Sequence, residues 1–152
     1  MSHRRLPAAL ILLALTACGY GGDDLAAMPQ TGVKQQVERY AGQTLAASGM
    51  AAFLDSAANV TGCPRDNGRS LADPDDAFYV QGIYSLPVPA DQLTATVGKV
   101  RDLWQRNGFT LASTTTPTSL SATATDAYRL DLTALEPIGL RLNIASPCYR
   151  PA

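Results

Sequence analysis

Between Ala77 and Ser146 the hydrophobic period changes from strand to helix and back to strand, and that succession restricts the fold more than any other feature. The run "AFYVQGIYSLPV" alternates, with Phe78, Val80, Gly82, Tyr84 and Leu86 on one side and Tyr79, Gln81, Ile83 and Ser85 on the other. A half-buried strand has this period. "PADQLTATVGKVRDLWQRNG" follows at helical spacing: Leu93, Val97, Val100, Leu103 and Trp104 make one stripe, while Lys99, Arg101, Asp102, Gln105 and Arg106 point away. Gly108, after Asn107, is a fitting stop. Four more strand-period runs come next, "FTLAST", "SLSATAT", "YRLDLTA" and "GLRLNIAS". Their apolar members face helices, and Thr123, Arg129, Asp131, Arg141 and Asn143 face water. The links "TTPT", "TD" and "EPI" suit hairpins. The expected fold is α+β, a mainly antiparallel five-stranded sheet with helices packed on one face.

A strand, a crossing helix and a second strand leave those two strands parallel, and the meander then runs its last strand antiparallel to the first. If the first and fifth strands are neighbours, Cys63 and Cys148 lie at the same end of the sheet. A disulfide between them then requires Cα atoms no more than about 7 Å apart.

Upstream, Val33, Val37, Tyr40, Ala41, Thr44 and Leu45 follow helical spacing, with Thr31 as N-cap and Gly49 as stop. "MAAFLDSAANVTG" is ambiguous and reads as a second short helix through Met50, Phe53, Leu54 and Ala57. "GCPRDNGRSLADPDD" is dense in turn formers and reads as loop.

The N-terminus has a different character. "MSHRRLP" is cationic, "AALILLAL" apolar, and "TAC" small, which is the layout of an export signal. The apolar run is far short of the roughly 20 residues a spanning helix needs. Leu15-Thr16-Ala17-Cys18 resembles the bacterial lipobox, which implies that Cys18 carries diacylglycerol and becomes the first residue of the mature chain. The competing reading is an ordinary signal peptide with an incidental cysteine. "GYGGDDLAAMPQTG" lacks an apolar period and reads as a flexible tether. The expected organisation is a signal peptide over 1–17, a lipidated cysteine and tether over 18–32, and one α+β domain over 33–152.

Three cysteines leave one over in an exported protein. With lipid on Cys18, Cys63 and Cys148 remain as a pair in an oxidising compartment; the alternative is two buried thiols.

Several chemistries are excluded or disfavoured. The only histidine, His3, lies in the segment expected to be removed. Ser-His-Asp and Cys-His catalysis and histidine metal sites therefore have no residue to use. Without residues 1–17 the chain has ten basic and thirteen acidic side chains, and the basic ones are scattered, so nucleic acid is not expected as a partner. Asp73, Asp75 and Asp76, with Asp66 and Asn67 nearby, offer oxygen ligands. Pro74 breaks the alternation of a calcium loop, so solvated loop is the better reading and no metal or cofactor is expected. Asp131 and Glu136 are available for acid/base chemistry, with nothing to suggest the apolar pocket such chemistry needs. Asn59-Val60-Thr61 matches a glycosylation sequon of slight relevance to a bacterial chain, and the hydroxyls of "STTTPTSLSATATD" suit strands and turns. Trp104, Tyr79, Tyr84 and Tyr128 read as core rather than as a ligand-stacking platform. Tyr79, Gln81 and Ile83, on the second face of the first strand, become a partner surface if that face is uncovered.

From Cys63 to the end, the Gly/Asp-rich loop, "YVQGIYSLPVP", "VRDLWQRNGF" and "SPCYRP" together resemble small uncharacterised lipoproteins of actinobacteria. That resemblance implies a cell-membrane address on the extracytoplasmic side and supports the disulfide; it implies no activity. The expectation is a lipid-anchored envelope protein, non-catalytic, that binds an envelope protein or a small ligand. An envelope hydrolase using carboxylates and a structural or inhibitory module are the alternatives.

Overall fold

The computed structural model describes residues 24–66 and 68–152. The expected signal segment 1–17, Cys18, the first part of the expected tether and Asn67 lie outside the described residues. The order is β1 (Ala27–Met28), α1 (Gln30–Ser48), β2 (Asp55–Gly62), β3 (Phe78–Leu86), a 3-10 turn (Ala90–Gln92), α2 (Leu93–Arg106), β4 (Thr110–Leu111), β5 (Ser119–Thr123), β6 (Arg129–Leu135), β7 (Gly139–Ala145) and β8 (Arg150–Pro151). The class is α+β, with a six-stranded antiparallel sheet in the order β2-β3-β7-β6-β5-β4 and a small parallel pair, β1 and β8.

The expectation of five strands is corrected by β2. "DSAANVTG" is a strand paired antiparallel along β3, from Asp55 opposite Ser85 to Gly62 opposite Phe78, and not a second helix. Its alanines carry little apolar signal, and the ladder of β3 decides its conformation where local propensity does not. In the other direction, "FTLAST" shrinks to the two residues of β4, because Phe109 turns into the core and the chain bends away after Leu111.

The expected tether is also shorter. Ala27 and Met28 lie parallel to Arg150 and Pro151, and the Arg150 side chain adds a bond from Nε to the Leu25 carbonyl at 3.0 Å. Helix α1 starts after Pro29, whose φ of −69° suits a helix entry and whose carbonyl accepts from Gly32 and Val33. Thr31 therefore sits inside the helix and does not cap it. Gly49, at φ 77°, takes the left-handed turn that ends it, as expected.

The first meander strand and the last are neighbours: β3 pairs antiparallel with β7, from Gln81 opposite Ala145 to Leu86 opposite Leu140. Cys63 and Cys148 are consequently at one end and form a disulfide, with Cα atoms 6.0 Å apart. Alongside it, Phe78 and Tyr149 exchange backbone bonds of 2.9 and 2.8 Å.

One core joins the elements. Val33, Val37 and Tyr40 on α1 and Val97, Val100 and Trp104 on α2 share a cluster with Val80, Leu120, Leu130, Leu132, Leu142 and Ile144. Each such side chain contributes roughly 1.5–3 kcal/mol by leaving water. One polar link joins the two helices. Trp104 donates its indole N–H to Thr44 Oγ1 at 3.3 Å, and Thr44 donates to the Tyr40 carbonyl. Midway along α1, Tyr40 donates to Asp126 at 2.7 Å while its ring meets Phe109 and Tyr128 edge-on. Trp104, Tyr84 and Tyr128 are buried as expected, whereas Tyr79 is half-buried on the opposite face of β3 and outside the core.

Candidate functional site

Alternate residues of the sheet face away from this core. Tyr79, Gln81 and Ile83 are in register with Thr61, Asn59 and Ala57 on β2, and Gln81 and Ile83 also with Ala145 and Asn143 on β7. All three are half-buried. Their neighbours on that face include Asn59, Asn143, Asp131, Thr133 and Arg141, so Tyr79 and Ile83 are set among polar groups and not in a broad apolar patch. The Nε of Arg141 is buried there without a hydrogen-bond partner.

A better-formed concavity lies on the other side, between α1 and β2. It encloses about 530 Å³ and is lined by Lys34, Glu38, Ala41 and Gly42 of α1, by Phe53, by Ser56, Ala57, Ala58 and Asn59, and by Tyr84 of β3. Small residues open it. A Cβ on Gly42 would meet nothing within 4 Å, and β2 contributes only short side chains along the trench. Phe53 and Tyr84 pack tilted, with ring centroids 4.8 Å apart.

Tyr84 is the chemically distinctive group. It is 4% exposed, and its hydroxyl is buried without a hydrogen-bond partner. A buried polar group left so costs about 1–3 kcal/mol. Burial, and then the nearby Glu38 carboxylate, push its pKa up to about 12. At neutral pH the group is thus an un-ionised phenol that can donate one hydrogen bond. Lys34 and Glu38, four residues apart on α1, add one cation and one anion to the lining. The site combines an aromatic floor, a buried donor and a mixed-charge border, which equips it to hold a ligand.

The carboxylates considered for acid/base work do not share a cavity. Asp131 accepts from Ser121 Oγ at 2.5 Å and lines, with Arg129 and Thr110, a depression of about 180 Å³. Glu136 borders a separate one of about 260 Å³ with Val88, Leu93 and Pro137. In the acidic loop, Asp73 Oδ1 accepts from the Asp75 backbone at 3.0 Å, closing a turn. Among the described residues no group of three or more potential metal-ligating side chains converges, and no helix is long and apolar enough to cross a membrane.

The sequence places Tyr84 in the core without marking its hydroxyl as unpaired, and the helical expectation for β2 hides the trench. Gly42, a glycine within an amphipathic helical run, was the available signal. The chain matches no protein-family model, no curated protein and no solved structure. What the fold defines is a class, a single α+β domain whose antiparallel sheet is closed at one end by a disulfide.

Proposed function

We propose that this chain is an exported, lipid-anchored envelope protein that binds a ligand or partner without performing chemistry on it. The observation supporting the binding half is Tyr84, which lines a trench of about 530 Å³ and whose buried hydroxyl has no hydrogen-bond partner among the described residues. A ligand that brings a hydrogen-bond acceptor to it recovers the cost of its burial and contributes apolar contact with Phe53. As an un-ionised phenol it holds a proton at neutral pH and does not abstract one. Tyr79, Gln81 and Ile83, across the sheet, are a second contact surface in this reading.

The address rests on the first eighteen residues. The cationic start, the short apolar run and Leu15-Thr16-Ala17-Cys18 support removal of 1–17, acylation of Cys18 and residence on the outer face of a cell membrane. Such a protein is similar in layout to small lipoproteins of actinobacteria.

Intact mass of the membrane-extracted protein tests both halves. The expected chain begins at Cys18 and carries added acyl mass; an unmodified full-length chain would end the anchor reading. Under non-denaturing conditions the wild type is expected to retain a bound molecule that Gly42→Phe, which fills the trench without a backbone clash, sheds. Equal spectra for the two proteins would remove the trench as a binding site.

A further inference from the structure

The two edges of the six-stranded sheet differ in kind. One is β4, two residues long. The other is β2, eight residues long, with no proline or lysine and with Asp55 as its only charge. Natural sheets usually blunt an edge of that length, since its unpaired N–H and C=O groups are a template for another strand. The ladder shows which groups those are. Cys63 donates to Ala77 at 3.0 Å, and Val80 turns its carbonyl to Ser146 on the far side. Antiparallel alternation then directs the backbone groups of Ser56, Ala58 and Val60 away from β3, to the open edge. Among the described residues, three of the five exposed large apolar side chains, Leu54, Val60 and Leu71, lie on β2, just before it, or in the loop that bridges back to Pro64 just after it.

This edge is also one wall of the trench. A side chain of an added strand opposite Ala58 shares the helix-facing side with Ala58 itself, and so drops into the space beneath Gly42 and toward Tyr84. We infer that the ligand is an extended peptide segment, which adds to β2 as a seventh strand and seats one neutral side chain bearing a hydrogen-bond acceptor against the Tyr84 hydroxyl. Backbone pairing supplies affinity and the trench selects the side chain. This inference rests on the trench being the binding site.

The probe is a library of random peptides of about nine residues, without proline, presented to the full chain in detergent. Wild type is expected to capture members whose binding raises hydrogen-exchange protection at the amides of Ser56, Ala58 and Val60 and leaves those of Ala57 and Asn59 unchanged. Ala58→Pro removes one outward donor at a position where an edge strand tolerates proline, and should weaken capture by about tenfold or more; Gly42→Phe should weaken it as well. Failure of the wild type to bind any peptide overturns the inference, as do captured peptides indifferent to Ala58→Pro. If those same peptides are still lost in Gly42→Phe, the trench remains the binding site and only strand addition is wrong. Should Ala58→Pro not fold, the protection pattern of the wild type decides alone.

Discussion

Gly82 lies directly beneath Val37: a Cβ at position 82 would come within 2.5 Å of Val37 Cγ1 and 2.7 Å of Tyr84 Cε2. Helix α1 thus seats on β3 at its one residue without a side chain, and Val37, fully buried and β-branched, has no room to yield. Gly82→Ala is expected to destabilise by about 1–3 kcal/mol. Urea unfolding followed by Trp104 fluorescence, with the slope of the transition unchanged, measures it.

The opposite holds for glycines with open space around them. Gly98, inside α2, would place a Cβ within 4 Å of nothing. Gly98→Ala should stabilise by about 0.5–1 kcal/mol through the chain entropy saved. Gly42→Ala in α1 should do the same for stability while narrowing the trench, so that only Gly42→Ala weakens binding.

Tyr84→Phe should separate stability from function. Because the hydroxyl lacks a partner, its removal should leave stability unchanged or raise it by up to about 1 kcal/mol, where loss of a bonded hydroxyl would cost about as much. Ligand binding should weaken in the same variant. A clear loss of stability would mean that the hydroxyl is bonded in solution.

How much of this could be read from the sequence depended on how sharply burial is written into each segment. Strand β3, helix α2 and the strands from β5 to β7 each set apolar against polar residues at one period, because one face is buried and the other is not. The meander follows from that, and the disulfide from the further condition, met in the structure, that the first and last of these strands are neighbours. Strand β2 has no such contrast: Asp55, Ser56, Ala57, Asn59 and Val60 are all exposed, and only a neighbour's backbone makes the segment a strand. Because one wall of the trench is β2, the site was hidden along with it. The β1–β8 pair, likewise, is a matter of backbone bonds between residues 27–28 and 150–151, which no periodicity records.

Alkaline pH should unfold the protein through its buried phenols. Burial pushes Tyr40 and Tyr84 up to about 12 from the usual 10, with the Asp126 bond adding to the effect at Tyr40, and it raises Tyr128 as well. The folded pKa values lie above the unfolded ones, so the unfolded chain releases its protons first. Their contribution is fully present below about pH 10 and is lost as pH rises from there toward 12, by up to about 1.4 kcal/mol per pH unit for each group. Urea midpoints across that window should fall, and fall less in Tyr40→Phe. A flat profile would contradict the burial of these groups.

Reduction of the Cys63–Cys148 bond, or Cys63→Ser with Cys148→Ser, should cost on the order of 4 kcal/mol, from the entropy of a loop spanning 85 residues. Thermal unfolding with and without reductant reads this directly.

The same bond sets how the domain bears mechanical load. Tension applied between the N-terminal side and the C-terminus enters through β1, α1 and β2, crosses from Cys63 to Cys148, and leaves through β8. Residues 64–147, which include β3 to β7 and α2, are bypassed by that path. A protein held at one end and pulled at the other can therefore give up its first helix and edge strand and still keep most of its sheet inside a loop that the pull cannot draw out.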